Sequence, residues 1–232
     1  MKSEYKPGLK RDVDKDLVNS LDDTGKIKLT IDGYDLVSID WDKTRQNFWP
    51  ELINEIKKYI KPNTEVLDLG CGNGRLVKEL EILNISYLGV DPSLGLIKLA
   101  KIKHPNQIFE KINGFDLEDF EDKTFDQVIS IAVLHHIPPS KVVDWLKEAN
   151  RVTKKGTISV FTTWNLSESN YDLNENKDAV IGFVHHKNTR YVHYYNYQEI
   201  KEIFEKSGYE VLEIKEIKRE SGMSNTVIIV NS

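Results

Sequence analysis

Two patterns of apolar residues alternate along this chain, one typical of strands and one typical of helices. Stretches predicted as strands lie at about 65–69, 86–91, 107–112, 125–132 and 157–163, and the one at 125–132 suits the centre of a sheet. Stretches with apolar residues at helical spacing lie between and before them, such as the one from Leu52 to Ile60. Strands that alternate with helices predict an α/β fold with a mostly parallel sheet.

The C-terminal part predicts a different strand pairing. A helix is predicted from Tyr197 to Ser207, and Gly208 is a suitable residue to end it. Two strands are predicted after it, at Tyr209–Ile217 and Thr226–Val230. Because only a short polar segment separates them, we expect these two strands to pair antiparallel.

The first 33 residues are predicted to form an N-terminal extension, partly mobile, ahead of a main domain at 34–232. Residues 1–25 are rich in lysine and aspartate and carry few apolar positions. Residues 27–31 alternate like a strand and end at Asp32 and Gly33, which fits a hairpin turn. In the alternative that we favour, Tyr34 begins a new element.

A polar segment interrupts the alternation of strands and helices at residues 164–196. It is too long for an ordinary connector, and a short helix is predicted near 175–181. We therefore predict that residues 164–196 are a functional insertion on the substrate side of the domain.

Composition limits the class of protein. The chain has 232 residues, enough for one domain, and a formal net charge of −5 with acids and bases interspersed. This balance gives no electrostatic support for nucleic-acid binding, although it does not exclude a local basic patch. The single cysteine, Cys71, leaves no internal disulfide and fits a reducing cytosol. No apolar run approaches the roughly 20 residues of a membrane span, so we expect a soluble cytoplasmic protein without a membrane partner.

A glycine-rich turn follows the first predicted strand. Gly70, Gly72 and Gly74 occupy alternate positions there, and Asp91 ends the next strand. Glycines let a backbone pass close to a ligand, and a carboxylate can accept hydrogen bonds from both hydroxyls of a ribose. The combination predicts a nucleoside-binding turn.

The spacing disfavours a dinucleotide. A dinucleotide site has the pattern G-x-G-x-x-G, which would place its third glycine where this chain has Arg75. Asp68 would repel a pyrophosphate, but it suits a ligand with an ammonium group. S-adenosylmethionine (SAM) has an ammonium group and a sulfonium centre and lacks phosphate. The pattern Asp68-x-Gly70-x-Gly72-x-Gly74 resembles the first motif of class I SAM-dependent methyltransferases.

This resemblance implies a Rossmann-like fold that binds SAM at the carboxyl ends of its strands. The implied sheet has seven mostly parallel strands in the order 3-2-1-4-5-7-6, with an antiparallel final pair and helices on both faces. The residues implied for SAM binding are Arg45, Asp68, Gly70, Cys71, Gly72, Gly74, Asp91, Pro92, Phe115, Asp116 and Ile131.

The resemblance also implies roles for some of these residues. Asp68 would orient the ammonium end of SAM, and Asp91 would bind both ribose hydroxyls. Phe115 could pack on the adenine ring. Related enzymes usually have an acid near the adenine amino group after the third strand. Asp116 could replace this acid, or the backbone at Phe115 could contact the adenine alone. Asp116 could instead be a helix N-cap.

Two segments offer candidates for the chemistry. His135 and His136 follow the fourth strand, at the edge that faces the transferable methyl group in this fold; a structural role is weighed for His135, and His136 is the better candidate for a site role. Arg190, Tyr191 and His193 lie in a segment dense in polar and aromatic residues, where Arg190 and His193 could meet an anionic substrate. The alternative is a loop whose tyrosines cover the sheet edge.

The histidines also raise the question of a metal site. Five of the six fall in two places, and they are His135, His136, His185, His186 and His193. Adjacent histidines usually point apart, and the chain has neither a pair of cysteines nor the His-Glu-x-x-His pattern. We predict no metal.

Four segments resemble one subfamily more narrowly. They are 42–45 with 48–50, 130–136, 163–165 and 190–194. Together they are similar to the tRNA methyltransferases that esterify carboxymethyluridine at the wobble position. The resemblance covers about residues 34–232, and it implies tRNA as a partner. Because the eukaryotic members depend on a small zinc-containing protein, it also implies a small activator protein.

Esterification of a carboxylate is compatible with the candidate residues. A carboxylate is already ionised at neutral pH, so it needs orientation by cationic or hydrogen-bonding groups and no strong base. Arg190, Tyr191, His193 and His136 are of that kind, and Arg45 could serve the substrate or the SAM carboxylate. Two alternatives stay open. One is an O- or N-methyltransferase of a small metabolite, with a closed pocket under the 164–196 insertion; the other is a SAM-binding subunit without catalysis.

Overall fold

The computed structural model describes residues 15–166, 173–183, 188–218 and 224–232. The α-helices in this part of the chain are α1 (Lys15–Ser20), α2 (Asp23–Thr44), α3 (Pro50–Ile56), α4 (Val77–Leu80), α5 (Leu94–Lys103), α6 (Pro139–Val152) and α7 (Tyr197–Lys206). The strands are β1 (Glu65–Leu69), β2 (Ser86–Asp91), β3 (Ile108–Lys111), β4 (Gln127–Ile131), β5 (Ile158–Trp164), β6 (Asp178–Gly182), β7 (Thr189–His193), β8 (Glu210–Lys218) and β9 (Ser224–Asn231).

Seven of these strands form one sheet in the order β3-β2-β1-β4-β5-β9-β8. The first five are parallel, and β9 runs antiparallel to both β5 and β8. The predicted fold class is therefore confirmed, including the antiparallel final pair. β6 and β7 pair with each other outside this sheet, so the last two strands of the predicted order are β8 and β9.

The sheet buries an apolar layer on each face. Neighbouring residues of one strand alternate between the two layers, as Val66 and Leu67 of β1 do. Helices α6 and α7 cover the layer that contains Leu67, and α3, α4 and α5 cover the layer that contains Val66. Complete burial of a leucine or isoleucine contributes about 1.5–3 kcal/mol, so the two layers hold the sheet rigid beneath the loops at its carboxyl edge.

The prediction of a strand at 27–31 is wrong, because these residues lie in α2, a helix of 22 residues. Tyr34 does not begin an element either, and the predicted boundary after residue 33 falls inside this helix. The side chain of Asp22 caps the helix by accepting a hydrogen bond from the Gly25 N–H. The helix contacts α5 on one side and β7 on another. Its apolar residues are therefore spread over more than one face and do not form a single stripe.

Two glycines allow α2 to approach its neighbours closely. A Cβ atom on Gly33 would lie 2.3 Å from the carbonyl oxygen of Thr189 in β7. A Cβ atom on Gly95 in α5 would lie 2.6 Å from the Ser38 hydroxyl oxygen of α2. These contacts fix α2 across the carboxyl edge of the sheet.

Substitution of Gly33 by alanine is expected to destabilise the protein. The added methyl group collides with backbone and forces α2 away from β7, which costs about 1–3 kcal/mol in the free energy of unfolding. That loss exceeds the roughly 1 kcal/mol that alanine gains in helix propensity. Urea denaturation measures the difference. Gly182→Ala is the control, because nothing lies within 4 Å of a Cβ atom built there; equal stability of G33A and G182A would contradict the packing argument.

Residues 164–196 contain a second, two-stranded sheet. β6 pairs antiparallel with β7, so the helix predicted near 175–181 is wrong and most of it is strand. One face of this hairpin packs against Trp164 and Leu166, and the other contacts Val18 of α1 and Leu29 of α2. The hairpin therefore lies between the end of β5 and the N-terminal helices.

Within the described part of the chain, no helix combines the length and the apolar character needed to cross a bilayer.

Candidate active site

A cavity of about 750 Å³ lies at the carboxyl ends of the parallel strands. The ends of β1, β2, β4 and β5 line one side of it, and α2, the β6–β7 hairpin and the loops after the strands contribute to its other walls. Parallel sheets bind ligands at this position, where the strand order reverses. The sequence-predicted residues that line the cavity are Arg45, Asp68, Gly70, Cys71, Gly72, Asp91, Pro92, Phe115, Ile131, His136 and Arg190.

The glycine turn brings backbone, without side chains, to the cavity. Gly72 has a φ of 57°, and a Cβ atom there would meet nothing closer than 4.0 Å, so the space beside it is open for a ligand. Gly70 lines the cavity too, but its lack of a side chain makes room for Val133. Gly74 does not line the cavity; a Cβ atom there would lie 2.8 Å from the ring of Phe109.

Asp91 is held rigidly at the end of β2. Its two oxygens accept hydrogen bonds from the backbone N–H groups of Gly72 (2.9 Å) and Ser93 (2.8 Å). Burial raises the pKa of this carboxyl to about 6, although both N–H donors act in the opposite direction. Asp91 is therefore mostly ionised at neutral pH, and each oxygen keeps a lone pair for a ligand hydroxyl.

Asp68 is the second carboxyl group in the cavity. It accepts a hydrogen bond of 2.6 Å from the Tyr87 hydroxyl, and only 2% of it is exposed. Burial raises its pKa to about 7, while the hydrogen bond from Tyr87 favours the ionised form. A cationic group placed beside Asp68 would lower this pKa again, because it stabilises the carboxylate.

Polar contacts tie α2 to the loops that follow β1 and β2. Asn73 of the glycine turn donates to the Asp42 carboxylate (2.8 Å) and to the backbone carbonyl of Arg45 (3.1 Å). Asp35 accepts hydrogen bonds from the Ser93 hydroxyl (2.6 Å) and from the Gly95 N–H (2.8 Å) at the start of α5. The C-terminal half of α2 is thus fixed over the glycine turn and over Asp91.

Aromatic and cationic side chains form the end of the cavity beside the β6–β7 hairpin. Arg190 is only 4% exposed; its guanidinium lies 4.2 Å from the ring centre of Phe183 and 5.2 Å from that of Trp164. It also donates a hydrogen bond to the Gly182 carbonyl. Tyr34 and Trp41 of α2 pack edge-on against each other and against Phe183. This end offers flat apolar walls and the positive charge of Arg190.

The environment of His136 fixes its protonation state. Burial lowers the pKa of this imidazole to about 3, and the charge of Arg190 acts in the same direction, so the ring is neutral at physiological pH. Its Nδ1 lies 2.7 Å from the Tyr191 carbonyl oxygen, which can only accept, so Nδ1 carries the proton. Nε2 is then an acceptor, and the Tyr34 hydroxyl, at 3.0 Å, donates to it.

Several predicted residues lie away from the cavity. Tyr191 and His193 are buried behind it, where both contact the Asp178 carboxylate. Asp116 is exposed, and its side chain accepts a hydrogen bond from the Glu118 N–H. His135 is fully buried and stacks on Trp164 with ring centres 4.4 Å apart.

No group of three potential metal ligands occurs among the residues that the structure describes. His185 and His186 lie outside them.

Some of the lining residues that α2 and the hairpin contribute were not among the predicted site residues. Tyr34, Trp41 and Phe183 line the cavity, and so does Arg75, which stacks on Phe48 at 4.1 Å. Tyr34 and Trp41 are seven residues apart and therefore share one face of a helix. That signal becomes visible only when residues 23–44 are recognised as one helix.

Comparison with known proteins identifies the family. The profile of a methyltransferase domain family matches residues 41–214. A protein of Encephalitozoon cuniculi that is named as a methyltransferase is 30% identical over 189 residues, which cover 78% of this chain and 86% of that protein. The tRNA (carboxymethyluridine(34)-5-O)-methyltransferase of Xenopus tropicalis is 29% identical over 146 residues, which cover 62% of this chain and only 22% of that protein.

A solved structure shows the same fold. The methyltransferase bound to the Haloferax volcanii Trm112 methyltransferase activator matches with a TM-score of 0.66 at 18% identity, covering 88% of this chain and 98% of its own. The family profile spans most of the present chain, and the cavity lies where this fold binds its ligand. The chain therefore belongs to the methyltransferase domain family, and it is a SAM-dependent methyltransferase.

Proposed function

We propose that the methyl acceptor is a carboxylate carried on a planar ring, and that carboxymethyluridine at the tRNA wobble position is the leading candidate. The observation that carries this proposal is the position of Arg190 in the cavity, between the rings of Phe183 and Trp164. A guanidinium group matches a carboxylate in charge and in planar geometry. The aromatic walls beside it suit the flat ring of a base.

The state of His136 supports an acceptor that needs no base. Methylation of a hydroxyl or an ammonium group releases a proton, which a general base must take, whereas an ionised carboxylate releases none. A neutral imidazole with a pKa of about 3 is a poor base, and its Nε2 already accepts a hydrogen bond from Tyr34. We assign His136 and Tyr34 to orientation of the acceptor.

The cofactor end suits SAM in charge and shape. SAM supplies an electrophilic methyl group on a sulfonium centre. Asp91 would accept hydrogen bonds from the ribose hydroxyls, and Asp68 would face the ammonium group. Gly72 would let the backbone approach the methionine part, and Phe115 would pack on the adenine ring.

The case for tRNA rests on relatives and on local charge. The Xenopus relative is named for carboxymethyluridine of tRNA, but its similarity spans a small part of that protein. Lys43, Arg45 and Arg75 line the same cavity as Arg190 and would favour an anionic substrate, against the overall charge of −5. The similarity to a methyltransferase bound to Trm112 supports a small activator protein as a partner.

A small aromatic carboxylic acid is the second candidate. The burial of the acceptor end favours this small substrate, because His136 and Arg190 are each only 4% exposed. A free acid of that size would reach this end without the unstacking that an RNA base requires.

The test supplies the protein with methyl-labelled SAM and total tRNA from a strain that lacks wobble methyl esters, with and without a Trm112-type activator. We expect the methyl ester of carboxymethyluridine in the nucleoside digest. Mild alkali should release its label, because an ester hydrolyses where an N-methyl group does not. Parental tRNA, whose wobble carboxylates are already esterified, is the matched control and should stay unlabelled.

A parallel reaction contains a panel of small aromatic carboxylic acids. Labelled acids together with unlabelled tRNA would select the second candidate. Absence of any ester, despite measurable binding of S-adenosylhomocysteine, would rule out the carboxylate proposal.

A further inference from the structure

A group of four polar side chains, three of them buried and Lys26 partly buried, lies behind the cavity, and Asp178 is its centre. One Asp178 oxygen accepts hydrogen bonds from the Tyr191 hydroxyl (2.6 Å) and from Nδ1 of His193 (2.7 Å). The other oxygen accepts one from the Lys26 ammonium group (2.9 Å). These residues, here called the Asp178 cluster, join α2 to both strands of the hairpin.

The cluster is a strong link because it is shielded from water. Burial by itself would raise the pKa of Asp178, but the hydrogen bonds from His193, Tyr191 and Lys26 outweigh it and hold the pKa below its ordinary value. The carboxylate thus stays ionised, with a lysine as its partner at low exposure. Removal of one member leaves a buried charge with fewer hydrogen bonds, which is more disruptive than the loss of a surface pair.

Tyr191 connects this cluster to the cavity. Its backbone N–H donates to the Thr30 hydroxyl of α2 at 3.1 Å, and its carbonyl accepts the Nδ1 proton of His136 at 2.7 Å. Because side chains alternate along a strand, the ring of Tyr191 points to the Asp178 cluster, while Arg190 before it reaches the cavity. The position of one residue therefore affects both His136 and Arg190.

We propose that the Asp178 cluster is a positioning device for the acceptor end of the cavity. By holding Tyr191 and α2 together, it keeps the His136 ring in the tautomer with the proton on Nδ1, and it places Arg190 opposite Tyr34. Tyr191, His193, Asp178 and Lys26 are then positioning residues that do not touch the substrate. The inference rests on the proposed function only in naming this end as the acceptor end.

The first test observes His136 directly and needs no acceptor. Protein with ¹⁵N-labelled histidine is compared by NMR with its Tyr191→Phe and Lys26→Met variants, and His136→Gln assigns the signal. We expect a single neutral tautomer in the native protein. We expect a shifted Nδ1–H signal or a second tautomer in both variants. Lys215→Met, which breaks a lysine bridge to Glu55 and Glu213 outside the cavity lining, should leave the signal unchanged.

The second test separates the two ends of the cavity. K26M and Y191F should raise KM for the acceptor roughly tenfold, while the affinity for S-adenosylhomocysteine stays within about twofold. Unchanged His136 signals in both variants, or equal losses of cofactor and acceptor affinity, would overturn the inference. Because the NMR and cofactor measurements use no acceptor, they remain decisive if tRNA is not the substrate.

Discussion

Replacement of Arg190 by methionine is expected to lower kcat/KM for the acceptor roughly 100-fold, with little change in the affinity for S-adenosylhomocysteine. Methionine fills much of the same volume between Phe183 and Trp164, so the charge is the main loss. A charge-assisted hydrogen bond contributes about 1.5–3 kcal/mol, and 1.4 kcal/mol corresponds to a factor of ten. Steady-state kinetics with the acceptor identified by the tRNA or small-acid assay measures the effect.

Arg151→Met is the matched control for this variant. Arg151 is tied to Glu148 and Asp122 away from the cavity, so its loss should reduce stability and leave kcat/KM nearly unchanged. If R190M loses cofactor affinity and acceptor turnover to the same extent, Arg190 belongs to the cofactor end. If R190M keeps full activity, the proposal of an anionic acceptor fails.

Replacement of Asp91 by alanine is expected to weaken the binding of S-adenosylhomocysteine by about 1–3 kcal/mol, or roughly 5–150-fold. The carboxylate would accept hydrogen bonds from both ribose hydroxyls. It also accepts backbone hydrogen bonds that hold the turns at Gly72 and Ser93. Calorimetric titration measures the change in affinity.

The pH dependence of cofactor binding gives a second measurement on the same residue. Asp91 has a pKa of about 6 and Asp68 of about 7, and both are proposed to bind in the ionised form. Protonation removes that form, so the affinity of the native protein should fall as the pH is lowered from 8 to 5. In D91A the part of this decline near pH 6 should be missing.

Asp35→Asn serves as the control, because Asp35 also accepts two hydrogen bonds in this region and does not line the cavity. Its affinity for S-adenosylhomocysteine should stay within about threefold of the native value. Native affinity in D91A, or an affinity of the native protein that is independent of pH, would remove Asp91 from the cofactor site.

Local sequence was sufficient for the central sheet. Its central strands, such as β4, are buried along their whole length, so their positions could be predicted. The alternation of strands with helices predicted their parallel arrangement. The glycine turn and Asp91 could be predicted for a related reason. Each needs a specific residue type at a fixed distance from a strand end, and that requirement is visible in the sequence.

Local sequence gave wrong secondary structure for segments that pack against several other elements. In α2 the apolar residues face α5, β7 and the cavity in turn, which leaves no helical stripe and mimics the alternation of a strand. The β6–β7 hairpin was not predicted either. β6 is stabilised by its contacts with β7 and α1, and its own sequence has no clear strand pattern.

The sequence by itself determined the fold class, the family and the residues proposed to bind the cofactor, because these depend on residue types within or beside single strands. Only the tertiary structure decided which residues form the proposed acceptor end. It placed Arg190 in the cavity and Tyr191 behind it, and it surrounded His136 with groups that remove its basicity. Burial and hydrogen-bond partners from distant segments set these properties, and no local pattern encodes them.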